Sequence, residues 1–302
     1  MDADARGATW MCSNSPRQGI WSSLHLRTTR TKSVGTELKI RTLCLSDRDP
    51  LPCHPHHRFA HFLEDVDYKH TATREGTMAA ETANPSQIIE VAEIAWESLT
   101  PTIKAKMLWS DPATKRRAQL TRFEPGASLS MHRHVGDELL YVIEGSISDE
   151  SGTVSAGSVG YRPNGCVHTV TSKNGATVFA IITGGVEPAK DIGTAPPSQT
   201  IVLSDIPWTE WMPGVRQKAF WSDPATKRRA AMGRFEPGAK LPRHKHIGDE
   251  LLFMIEGSNF DESGELRTGN VAYFPSGCIH TVVSTIGHTA IAFVTGEVET
   301  MQ

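Results

Sequence analysis

The stretch "HRHVGDELLYVIEG", residues 132–145, sets two imidazoles and a carboxylate ahead of an apolar run. Residues i and i+2 of a strand project to one face, so His132 and His134 point the same way. Glu138 follows across a tight Val-Gly-Asp turn, and "LLYVI" behind it has the length and composition of a strand. Polar groups on an otherwise apolar strand face cost desolvation unless they bind something. The pattern is used twice, because "HKHIGDELLFMIEG" begins at His244.

Sliding the chain by 112 residues aligns 85–187 with 197–299 without a gap, and 57 of the 103 positions are identical. "WSDPATKRRA" at 109–118 recurs unchanged at 221–230, and "PSQ" opens both copies. A period this long is a duplicated domain rather than a solenoid unit. The divisions expected are an N-terminal extension at 1–77, a first domain at 78–190 and a second at 191–302, joined through "PAKDIGTAPP". Within each copy, short apolar or alternating runs sit between turn signals such as "EPGA", "DESG" and "KNG", which predicts an all-β barrel per copy. The extension has no sustained period and is given no fold; it is read either as an unstructured segment or as a mis-annotated addition upstream of a start at Met78.

A net charge of -3 over 302 residues gives no reason to expect nucleic acid or a membrane as partner. Five cysteines, an odd number, argue for a reducing compartment, so a cytoplasmic protein is expected, with a small-molecule ligand and a homodimer as its partners.

His168 lies beyond the turn "RPNG", and His280 occupies the matching place in the second copy. His132, His134, Glu138 and His168, with His244, His246, Glu250 and His280, make two sets of three imidazoles and a carboxylate. That donor set suits a first-row transition metal. His288 has no counterpart in the first copy.

The pattern Gly126-x5-His132-x-His134-x3-Glu138-x6-Gly145, then Gly157-x5-Pro163-x-Gly165-x2-His168, resembles the two signature motifs of the cupin superfamily, and the second copy matches them as well. The chain is therefore similar to a bicupin, two tandem double-stranded β-helix barrels. The first copy's sequence is further similar to the ChrR-like cupins, a family that includes an anti-sigma-factor domain and lies close to dioxygenases of diketones and hydroxyacetophenones. The resemblance implies one divalent metal per domain: Fe(II) for oxygen chemistry, Zn(II) as the alternative, with Mn(II) and Ni(II) also compatible. It implies Glu138 and Glu250 as ligands that also move a proton. A zinc-binding sensor without catalysis and a cupin isomerase are the other activities it allows. Ser172 and Ser284 depart from the usual Asn of the second motif.

Three further expectations concern residues near these motifs. Cys166 and Cys278 are read as inward-facing barrel filling. The Lys-Arg-Arg run of "WSDPATKRRA" is read as a solvated strand edge behind a type I turn. Arg122 and Arg234 are within conceivable reach of a substrate carboxylate.

Overall fold

The computed structural model describes residues 84–301, so the expectations for 1–77 and Met78 lie outside the described residues. The described chain is almost entirely β. Its only helical segments are two 3-10 turns, Val91–Glu93 and Leu203–Asp205. Two sheets of eleven strands each curl into barrels, one per repeat, as the motifs imply.

The strand Glu138–Asp149 shows why the repeats hold together. Leu140 and Val142 point into the first barrel, where they pack with Ile147, Val178 and Ile182. Alternation turns Leu139 and Tyr141 outward, yet they too are buried, in a cluster with Phe179, Leu251, Phe253 and Phe293. A strand covered on both faces must read as an unbroken apolar run, which accounts for "LLYVI". The outer cluster draws on both repeats, with Phe179 stacked on Phe253 at 4.9 Å between ring centroids. The repeats therefore share a core in addition to the ones inside the barrels.

The first short strand of each repeat is built into the other repeat's barrel. Gln87–Ile89 pairs antiparallel with Val271–Phe274 of the second repeat. Gln199–Ile201 pairs with Val159–Arg162 of the first.

The Lys-Arg-Arg expectation needs correction. The turn forms as read, with Asp111 accepting from the Ala113 backbone N–H and the Thr114 hydroxyl. Arg116, however, leaves its own repeat and grips both carboxylate oxygens of Asp249, while Arg228 donates to Asp137 at 2.7 Å. These pairs stand beside Trp109 and Trp221, over whose rings the guanidiniums lie. Arg122 and Arg234 do not face a ligand site either. They stack on Trp96 and Trp208 at 4.6 and 4.5 Å.

Candidate metal centre

The strand Ala127–Val135 runs antiparallel to Val167–Ser172 with His132 directly opposite His168, and the register slips between Leu129 and His132. The same slip occurs between Leu241 and His244, ahead of the His244–His280 pair. A bulge at this point re-aims the side chains that follow it. It leaves both histidines of each H-x-H segment facing His168 or His280. The chain then turns at Gly136, where a Cβ would lie 1.4 Å from the Thr183 carbonyl oxygen; at Gly248 the distance to the Thr295 oxygen would be 1.0 Å. Only glycine permits that approach, which brings Glu138 and Glu250 back onto the barrel wall.

Each triad converges. The ligand atoms of His132, His134 and His168 lie within 4.8 Å of one another, and so do those of His244, His246 and His280. His134 Nε2 faces His168 Nε2 at 3.0 Å, and His246 Nε2 faces His280 Nε2 at 3.0 Å. Two imidazole lone pairs cannot face each other at that distance without a proton or a cation between them. In four of the six histidines the opposite nitrogen fixes the tautomer. His132 Nδ1 donates to the Ser130 carbonyl at 2.9 Å and His244 Nδ1 to Pro242 at 2.8 Å. His168 Nδ1 donates to Asp149 at 3.2 Å and His280 Nδ1 to Asp261 at 3.3 Å. Hydrogen-bonded Nδ1–H groups leave Nε2 free to ligate, the arrangement that metal-binding histidines use. Burial pushes His134 down to about 4 and His246 to about 3, which keeps both neutral and competent as ligands. The residues present fit a divalent metal.

The two glutamates stand beside the triads. Glu138 Oε2 is 3.7 Å from His134 Nε2, and Glu250 Oε2 is 3.8 Å from His246 Nδ1. Their surroundings differ. Opposite Glu138 stands Arg162, 1% exposed, with its Nε 3.7 Å from the carboxylate. Burial alone would raise Glu138, but the neighbouring imidazoles, led by His134, and the Arg162 charge outweigh it and hold the carboxyl below its ordinary value. Opposite Glu250 stands Phe274, stacked on the His246 ring. There burial pushes Glu250 up to about 7 against weak opposition from His280 and Arg229. The exchange involves a second position. A Cβ on Gly160 would meet the Arg162 guanidinium at 2.0 Å, and the second repeat, with no arginine to accommodate, carries Ala272 there.

The second barrel is also lined by smaller side chains at several positions. Gln119, Thr121, Val178 and Ile182 of the first repeat correspond to the smaller Ala231, Gly233, Ala290 and Val294. The last four line a cavity of about 880 Å³ that reaches His244, His246, Glu250 and His280. Farther along the barrel, the position of Ile147 is taken by Asn259 and that of Ala176 by His288. His288 Nδ1 bonds to the Ser284 hydroxyl at 2.7 Å and the ring stacks on Phe235. Burial pushes His288 down to about 4, so it stays neutral.

Cys166 and Cys278 are buried and free, and burial raises both thiols to about 11, in keeping with barrel filling. Sequence reading brought out the triads but missed Asp149 and Asp261. Both sit in the "DESG" segments, identical in the two copies, which were read as turns alone. Arg162 and Asn259 were missed because their signal is a difference between the repeats rather than a motif.

The ChrR Cupin-like domain family matches residues 84–186 and again 197–299. No curated protein matches the chain in sequence. Among solved structures, a Nostoc punctiforme protein provisionally described as a dioxygenase superposes with a TM-score of 0.60 at 11% identity, covering 72% of this chain and 83% of its own. An oxalate decarboxylase superposes with a TM-score of 0.53 at 17% identity, covering 75% and 81%. A deletion variant of the Bacillus subtilis oxalate decarboxylase gives 0.53 and 17%, covering 75% and 80%. At these identities the likeness is one of fold. No helix among the described residues is long and apolar enough to cross a membrane.

Proposed function

The chain belongs to the ChrR cupin-like family, with two copies of the domain in tandem, and on that premise we propose that it is a metal-dependent, dioxygenase-type oxidoreductase. Its substrate is a small carbonyl, diketone or phenolic compound, and the second barrel is where it reacts. The observation that carries this reading is the cavity of about 880 Å³ ending on the second histidine triad. A filled barrel could hold an ion for structural reasons, whereas this one has room for an organic molecule beside it.

When bound, Fe(II) supplies redox chemistry toward O2 and Lewis acidity, whereas Zn(II) supplies Lewis acidity alone. The protein's own groups do the rest. The three imidazoles and Glu250 would hold the ion, and Glu250, in an apolar pocket with Phe274 opposite, would take the proton that an enol or phenol gives up. Apolar walls such as Leu252, Ala290 and Ala292 exclude water, and His288 with Asn259 offers a hydrogen-bonding end to the polar tip of a substrate. In the first barrel His132, His134, His168 and Glu138 would hold a second ion within a packed interior.

Protein purified without added metal is analysed for metal content, reconstituted with Fe(II), and assayed for oxygen uptake on diketones, hydroxyacetophenones and flavonols. Uptake that depends on one of these compounds and disappears in His246→Ala is expected. Full iron occupancy with no substrate-dependent uptake overturns the reading.

A further inference from the structure

The exchanged strands do more than tie the repeats together. Immediately before each one is a serine of the repeated "PSQ", and each serine reaches the other repeat's metal site. Ser86, 8% exposed, donates to Asp261 Oδ2 at 2.6 Å. That same oxygen accepts His280 Nδ1–H at 3.3 Å. In the mirror arrangement Ser198 donates to Asp149 Oδ2 at 2.6 Å, and that oxygen accepts from His168 at 3.2 Å. The other oxygen of each aspartate is held by its own turn, through the Ser263 and Ser151 backbone N–H groups. Within the second repeat, then, the turn holds only one oxygen of Asp261, and the oxygen that orients His280 is held from outside by Ser86; in the first repeat Ser198 holds the corresponding oxygen of Asp149 together with Arg162.

We propose that Ser86 and Ser198 are positioning residues for metal sites they do not belong to. Ser86 of the first repeat sets His280 of the second, Ser198 of the second sets His168 of the first, and neither site is complete without the other repeat. Groups that hold a ligand histidine from behind commonly govern metal affinity by roughly ten- to a hundredfold. The two sites are not equally dependent. Asp149 has a further partner in Arg162 Nη2 at 3.4 Å, whereas at the corresponding place the second repeat has Phe274. The second site therefore relies more on its serine. The inference rests on the triads holding metal and is independent of whether the protein is an oxygenase.

The test uses two full-length proteins with one site each: His132→Ala with His134→Ala leaves the second site, and His244→Ala with His246→Ala leaves the first. Co(II) is titrated into each against a chelator, and its visible absorption bands are recorded. Ser86→Ala, which acts on His280 through Asp261, is expected in the second-site protein to weaken Co(II) binding by up to roughly tenfold and to shift the bands. In the first-site protein it is expected to change neither. Ser198→Ala should give the mirror result with a smaller effect. Asp261→Asn, which acts on the same relay from within the second repeat, should reproduce the Ser86→Ala shift and serves in its place if that variant does not fold. Ser86→Ala that lowers the melting temperature but leaves second-site affinity and spectrum unchanged overturns the proposal, as does an equal effect at both sites. A second-site parent that takes up no Co(II) overturns the metal reading itself.

Discussion

Arg162 and Phe274 occupy the same place in two otherwise matching sites, and this one difference changes what each site can do. Beside Arg162 the carboxylate of Glu138 stays ionised, and the guanidinium fills the barrel over Gly160. Beside Phe274 the carboxyl of Glu250 is raised to about 7, at the end of an open cavity. Turnover should then follow the second site. His244→Ala is expected to abolish oxygen uptake, while His132→Ala leaves at least a tenth of wild-type kcat per folded chain and removes one equivalent of metal, as measured by elemental analysis alongside the assay. Gly160→Ala is expected to lower the melting temperature of the protein through its clash with Arg162. Combining it with Arg162→Phe should recover part of that loss. The cysteines are a contrasting case. With thiols raised to about 11, Cys166 and Cys278 should react slowly with iodoacetamide at pH 8, at equal rates with and without metal.

At the scale of the element, the turn between H-x-H and the glutamate holds the closest backbone approaches of any glycine among the described residues. Gly136 and Gly248 bring it against carbonyl oxygens closer than any side chain allows. Gly248→Ala should therefore cost about 3 kcal/mol or more, read as a shift in denaturant midpoint, because backbone must move to admit the Cβ. Much of this scale was legible in the sequence. The strands around His132 and His244, the turn glycines and the triads all follow from local pattern and from its repetition. The exchanged strands were not legible, for a physical reason. Three residues such as "QII" encode an extended segment but not the strand it will lie beside, since backbone hydrogen bonds do not discriminate partners. Asp149 was hidden differently. A short turn beginning with Asp is so common that its second use, as the acceptor for His168, leaves no separate signal. The smaller lining of the second barrel was present in the aligned repeats, at Ala231, Gly233 and Ala290, but spread over strands whose inward faces only the fold identifies.

On the scale of the whole molecule, the two barrels share a core around Phe179 and Phe253, exchange their first strands, and are joined by the reciprocal Arg116–Asp249 and Arg228–Asp137 pairs. Burial raises Asp249, but the hydrogen bonds from Arg116 and Thr295 and the Arg116 charge more than offset it, so its carboxyl sits below the ordinary 3.8. A depressed folded pKa means that this pair contributes its full stability above about pH 4 and loses it as pH falls through the lowered value. Arg116→Ala should then cost roughly 1–3 kcal/mol at pH 7 by leaving a partly buried carboxylate without its ionic partner, and progressively less as pH is lowered below about 4, as measured by chemical denaturation across an acid pH series. Because the metal sites lie within this shared structure, unfolding is expected as one transition rather than two. The central claim, that this double barrel performs metal-dependent oxygen chemistry in its second repeat, is tested most directly by oxygen consumption of the Fe(II)-reconstituted protein on a panel of diketones and hydroxyacetophenones. Consumption matching substrate loss in wild type, and absent in His246→Ala, is the result predicted. Fully iron-loaded protein that consumes no oxygen with any of these compounds would contradict it.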